Sequence, residues 1–145
     1  MANYDRKVIE EIAGDLDIGF NCYYNLKTKE IVKLPNFDDS FDEDFMREEF
    51  KADIEKVEGN EDDYIIFEIL DSFEAFKIME RFVGQMTDPH FQDKLDYILQ
   101  REKPFRYFKQ AIDESEHRQA WFDFKRNELE RRVEDQFREC KSNSV

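Results

Sequence analysis

Apolar residues along this chain recur at two different periods. Tyr4, Val8, Ile9, Ile12 and Ala13 fall on one helical stripe, and Gly14 stands where a C-terminal cap belongs, which predicts a short first helix. The β-prone segments Phe20–Tyr24 and Glu30–Leu34 flank the polar run Asn25–Lys29, and Pro35 closes the second, as in a β-hairpin. Phe41, Phe45, Phe50, Ile54 and Val57 then mark one greasy side of an acidic segment, read as a single helix. Gly59 and Asn60 break it. The run Tyr64–Leu70 is the best strand in the chain, short, β-branched and bounded by polar residues, and is expected to join the hairpin as a third strand.

Helical signals dominate from there on. Asp71 followed by Glu74 resembles a capping box, because the Asp oxygen can accept from an N–H that has no partner inside the helix. Phe73, Phe76, Met79, Phe82, Val83 and Met86 line the broad face that follows, to about Gln85. Asp88 caps the next helix with Pro89 in its first position, and Phe91, Leu95, Ile98 and Leu99 mark its buried side. Pro104 opens a third, bearing Phe105, Phe108, Ala111 and Ile112 toward the core. Ser115 caps a long last helix, Glu116 to about Glu139, whose apolar positions are Trp121, Phe122, Leu129, Val133 and Phe137. The tail 141–145 is expected to fray. No linker, repeat or low-complexity tract interrupts the chain. The pattern therefore predicts one α+β domain over residues 1–145, with a small antiparallel sheet of two to three strands near the N-terminus and a mainly helical C-terminal half.

Composition changes this picture in two ways. Forty per cent of the 145 residues are charged, a level seen in disordered chains, but fifteen Phe, six Tyr and one Trp supply enough apolar surface for a dense core. The formal charge of −14 opposes nonspecific binding to nucleic acid and anionic membranes. It is also uneven. Between Asn36 and Asp63 thirteen acids face three bases, whereas from Arg101 onward the signs nearly cancel. No apolar run reaches the roughly 20 residues that span a bilayer, and Met1–Lys7 has no signal-peptide character, so a cytoplasmic location is expected. Cys22 and Cys140 lack the spacing of a disulfide framework or a thiolate zinc site.

Candidate chemistry is sparse. His90 and His117 come without partner motifs and read as surface residues, and four glycines leave no phosphate-cradling loop. No catalytic, cofactor-binding or metal-ligating residue is assigned, and no cofactor is expected. Asp38, Ser40, Asp42 and Glu49 match oxygen positions of a calcium loop, but Glu43 stands where its sharp turn needs Gly, and a strand precedes it in place of a helix. A solvated acidic loop is the better reading. The run Lys103–Lys109 interleaves bases and aromatics, a pattern able to stack nucleobases, yet helical spacing sends Phe105 and Phe108 inward and Arg106 and Lys109 outward, as in any amphipathic helix.

Four of these segments carry a family resemblance. Tyr24–Val32 is similar to an "L-x-T-G-E-V" hairpin, and Leu70–Phe82, Pro104–Lys109 and Trp121–Phe124 follow it in the same order, in a chain that thus resembles uncharacterised protein family 0158 over most of its length. Lys29 stands where that family often carries Gly and Lys103 replaces a Gly before Pro104-Phe105, and the acidic stretch Asp38–Asp63 is longer and more charged than the resemblance leads one to expect. The resemblance implies a single bacterial cytosolic domain and brings no catalytic residue with it.

Three functional readings follow. The first is a non-enzymatic binding or regulatory module whose acidic segment, through Asp42, Glu43, Asp44, Glu48 and Glu49, engages a basic protein surface. The second is nucleic-acid contact through Arg106, Lys109, Lys125, Arg126, Arg131 and Arg132, disfavoured by the net charge. The third is an enzyme acting through buried carboxylates in a concave pocket. No membrane partner is expected, and the sequence does not set the oligomeric state.

Overall fold

The computed structural model describes residues 5–36 and 43–143. Its elements run α1 (Arg6–Asp17), β1 (Phe20–Asn25), β2 (Ile31–Pro35), α2 (Glu43–Glu49), α3 (Lys51–Glu58), a 3-10 turn (Glu61–Asp63), β3 (Tyr64–Phe67), α4 (Ser72–Gly84), α5 (Pro89–Leu99), α6 (Pro104–Asp113) and α7 (Arg118–Asn143). This is the α+β arrangement the sequence predicts. The chain divides into two compact units, one of Met1–Ile69 with Leu129–Val145, the other of Leu70–Glu128. Among the described residues, no helix is long and apolar enough to cross a membrane.

The first unit is built on a three-stranded sheet in the order β2-β1-β3, antiparallel throughout, so the third strand docks on the free edge of β1. Alternation of side chains splits its residues between two faces. Tyr23 stands opposite Val32, and Val32, Leu34 and Tyr64 cluster with Val57 of α3, with Phe50 and Ile54 against them. On the other face Cys22, Tyr24 and Phe67 are buried, as are Ile9, Ile12, Ala13 and Leu16 of α1. The fully enclosed Phe137 of α7 meets Tyr24 edge-on at 5.2 Å and Phe67 at 4.9 Å, supplying much of the apolar area on this side. Asn25, also buried, turns the hairpin by accepting from the N–H groups of Lys27 and Thr28.

Three expectations for this unit change. The first helix runs through Gly14 to Asp17, because Leu16 is a fourth buried contact, and Gly19 at φ +100 makes the turn that follows. Its N-cap is Asp5, which accepts from Lys7 N–H at 2.9 Å. The acidic segment is two helices, broken at Phe50. The five-residue step from Phe45 to Phe50 turns a helix by about 140° beyond a full circle, so the two rings cannot share a face of one straight helix. The break lets Phe50 join the cluster while Phe45 stays 58% exposed. The third strand stops at Phe67, and Ile69 N–H donates to the Asn21 side chain at 2.8 Å.

The second unit packs α4, α5 and α6 with the first turns of α7 around Met79, Phe82, Val83, Leu95, Ile98, Phe108, Ala111 and Ile112. Its start signals are those read from sequence. Asp71 accepts from Glu74 N–H at 2.8 Å, and Asp88 from Phe91 N–H at 3.3 Å with Pro89 in the first position. Trp121 is the centre of the aromatic packing, 5.3 Å from Phe82 and 4.9 Å from Phe108, both edge-on. The last helix begins at Arg118, two residues later than expected, since Ser115 Oγ accepts from His117 N–H and donates to Ile112 O in a turn of its own. It also runs on past Glu139 to Asn143, through residues expected to belong to a frayed tail.

Candidate ligand-binding groove

Along α6, Phe105, Lys109, Ile112 and Asp113 are spaced at four, seven and eight residues and so form one row. Along α7, Arg118, Phe122 and Lys125 form another. These rows line a groove of about 560 Å³ within the second unit, floored by Met79, Phe108 and Trp121. Its rim carries three cations and one acid. Arg118 lies 4.9 Å above the Phe122 ring and 3.4 Å from the Asp113 carboxylate, and all three residues line the groove. Among the described residues Lys109 makes no ion pair, so its ammonium group is available to a ligand.

Two rings expected in the core stand on this rim. Phe108 is 2% exposed but Phe105 is 42% exposed, although both lie on the apolar side of α6. Phe105 occupies the first turn of α6 and meets the Phe76 ring edge-on at 6.4 Å. Phe73, in the first turn of α4, is likewise exposed and lies under the Lys77 ammonium. Phe122 is 41% exposed because α7 turns Trp121 and Phe124 inward, leaving Phe122 one position off that row.

The charged residues singled out from sequence are divided between the two units. Asp42 lies outside the described residues, as do Asp38 and Ser40 of the rejected calcium loop. Glu43 opens α2, and Asp44, Glu48 and Glu49 are exposed along it. All belong to the first unit. Lys109 and Lys125 line the groove in the second, whereas Arg106 lies off it beside Tyr107. Arg131 and Arg132 fall in the first unit, so the six bases of the nucleic-acid reading are divided. Segregation of charge is sharper than the sequence suggested. Leu70–Glu128 holds ten Lys and Arg against twelve Asp and Glu, a net of −2, which leaves −12 of the total −14 to the first unit.

One histidine also departs from its surface reading. His117 is mostly enclosed, its ring stacked on Phe91 at 4.7 Å, and its Nε2 lies 3.0 Å from Asp88 Oδ2. The Phe91 N–H first and the His117 ring second hold the Asp88 carboxyl below the usual carboxylate range. The partners are 29 positions apart, so no local motif announces them. Arg118 and Phe122 were also missed as rim residues; their four-residue spacing is legible, but that they face Phe105 and Lys109 is not.

Fold and groove together define a small α+β protein with a cation-rimmed aromatic cleft on its helical half. The chain belongs to uncharacterised protein family UPF0158, whose model matches residues 6–145, nearly its whole length. No curated protein and no solved structure matches it.

Proposed function

We propose that this chain is a binding module whose α6–α7 groove receives an acidic protein segment bearing aromatic side chains. The observation that carries the reading is the pairing of exposed Phe105 and Phe122 with Lys109, Arg118 and Lys125 around one cleft. Exposed rings beside a concave apolar floor gain by covering, and the cations select a ligand of negative charge. A folded strand of nucleic acid is the weaker match, because the net charge of −14 repels a polyanion along its length while a short acidic segment meets only the local rim.

Trp121, the only tryptophan, floors the groove and reports occupancy directly. A synthetic peptide alternating Glu with Phe is expected to change its fluorescence saturably, with affinity falling about tenfold in Lys109→Glu and again in Phe122→Ala. The Lys-for-Glu peptide should leave it unchanged. Equal binding of both peptides, or no effect of Lys109→Glu, overturns the reading; tighter binding of a single-stranded oligonucleotide transfers the groove to a nucleic-acid role.

A second reading rests on α2, whose Asp44, Glu48 and Glu49 are exposed in the unit that holds most of the negative charge. That face engages a basic protein surface. A lysine-rich peptide should bind in a salt-sensitive manner and lose that binding in the Asp44→Asn, Glu48→Gln, Glu49→Gln variant. Binding that survives those changes removes α2 from consideration.

A further inference from the structure

Three metal-ligating side chains meet where the α6–α7 connection passes the N-terminus of α5. His117 Nε2 is 3.0 Å from Asp88 Oδ2 and 4.0 Å from Glu116 Oε1, and the three ligand atoms all lie within 4.8 Å of one another. We infer that Asp88, Glu116 and His117 form a binding site for a divalent transition-metal ion, of which Zn²⁺ is the best fit.

The donor set favours such an ion. One imidazole nitrogen and two carboxylate oxygens suit zinc and its neighbours, whereas calcium and magnesium prefer oxygen alone. Ligand atoms at about 2.1 Å from a tetrahedral zinc stand about 3.4 Å apart, so small rotations of Glu116 and Asp88 suffice to close the observed spacing around an ion. Three protein ligands leave a fourth position for water.

The two inner ligands are already held from outside the site. Asp88 Oδ1 accepts from Phe91 N–H, which leaves Oδ2 as the atom turned to His117. The Phe91 ring stacks on the imidazole within 23° of parallel, and the backbone N–H of His117 is fixed on Ser115 Oγ at 3.1 Å. Such outer support orients ligands and removes part of the ordering cost of binding. Electrostatics agree in sign. The α5 N-terminus contributes about half a positive charge, but two carboxylates outweigh it.

The test is calorimetric titration of the full chain with ZnSO₄, with Co²⁺ absorption in the visible as a report on ligand geometry. One equivalent should bind with a micromolar Kd and raise the melting temperature, while CaCl₂ should not. Asp88→Asn keeps an N-cap residue of nearly equal quality and so separates ligation from folding. It should weaken Zn²⁺ at least tenfold, as should Glu116→Gln, whose side chain is 86% exposed and dispensable to the fold. His117→Ala should abolish the Co²⁺ spectrum. Absence of a stoichiometric Zn²⁺ site, or a site indifferent to Glu116→Gln and Asp88→Asn, overturns the assignment.

Discussion

Arg6, at the start of α1, donates through its guanidinium to Glu130 of α7, a carboxylate buried 124 positions away along the chain. The same guanidinium reaches Glu10 at 3.6 Å and Glu134 at 3.9 Å, but Glu10 is exposed and Glu134, half-buried, is held more closely by Arg138 at 2.6 Å, so both contribute little here. The buried partner is different, because removing Arg6 leaves its charge without compensation. Arg6→Ala is expected to lower stability by about 1–3 kcal/mol in urea denaturation. Adding Glu130→Gln should recover part of that loss, since a neutral amide is less costly to leave buried. If the double variant is no more stable than the single one, desolvation of Glu130 is not the cause.

Two lysines, Lys29 and Lys103, are the described non-glycine residues with positive φ, at 65° and 53°. A side chain in that region is crowded against the following carbonyl, and Gly is not. The sites are those where the family resemblance has Gly, so the structure gives that difference a physical meaning. Lys29→Gly and Lys103→Gly should each stabilise by about 1 kcal/mol, with the Ala variants as controls that do not gain. A lower melting temperature for both Gly variants would show that the lysine side chains themselves do more than the backbone loses.

The two phenylalanines of α6 should behave oppositely. Phe108 is enclosed among Met79, Phe82 and Trp121, and its truncation to Ala should cost about 3–5 kcal/mol. Phe105→Ala should change stability by less than about 1 kcal/mol while weakening the acidic peptide. Comparable losses for the two would place Phe105 in the core.

Burial, reinforced by Asp15 and then Glu11, pushes the Cys22 thiol up to about 12, so it stays protonated in the fold. At pH 8 a thiol reagent should modify Cys140, which is partly exposed, and reach Cys22 only on unfolding. The sign of the linked stability follows. Because the folded value lies above the ordinary 9.0, the contribution is complete below pH 9 and declines as pH rises toward 12. Cys22→Ala should flatten that alkaline decline. Rapid labelling of Cys22 in the native protein would contradict the enclosure described for it.

What the sequence made legible was local. Asp71, Asp88, Pro89 and Pro104 lie within a turn of the helices they start, and the hairpin and third strand are separate runs with turn residues between them. The break at Phe50 was encoded in the five-residue step, but apolar residues at 45 and 50 look continuous unless the angle is followed. Phe105, Phe73 and Phe122 satisfy the helical period and still stand in water, because periodicity gives direction around an axis and not where the neighbouring elements end. The Arg6 and Glu130 pair, and the meeting of His117 with Asp88, join distant positions, and a single sequence carries no mark of such pairings. The groove was half visible. Its cations Lys109 and Lys125 were singled out, but Arg118 and Phe122 acquire a role only once α6 and α7 lie side by side.

Helix α7 belongs to both units, with Arg118–Glu128 in one and Leu129–Asn143 in the other. The sheet therefore waits for its lid. On a ribosome β1, β2 and β3 emerge early, yet Phe137, which covers Tyr24 and Phe67, is translated after the whole of the intervening unit. Leu70–Glu128 is free to fold in the interval, while Tyr24 and Phe67 of the nascent sheet lack the Phe137 ring that α1 does not replace. Premature termination shortly after Glu128 would thus harm the beginning of the protein more than its middle, leaving a completed insert attached to an unfinished host.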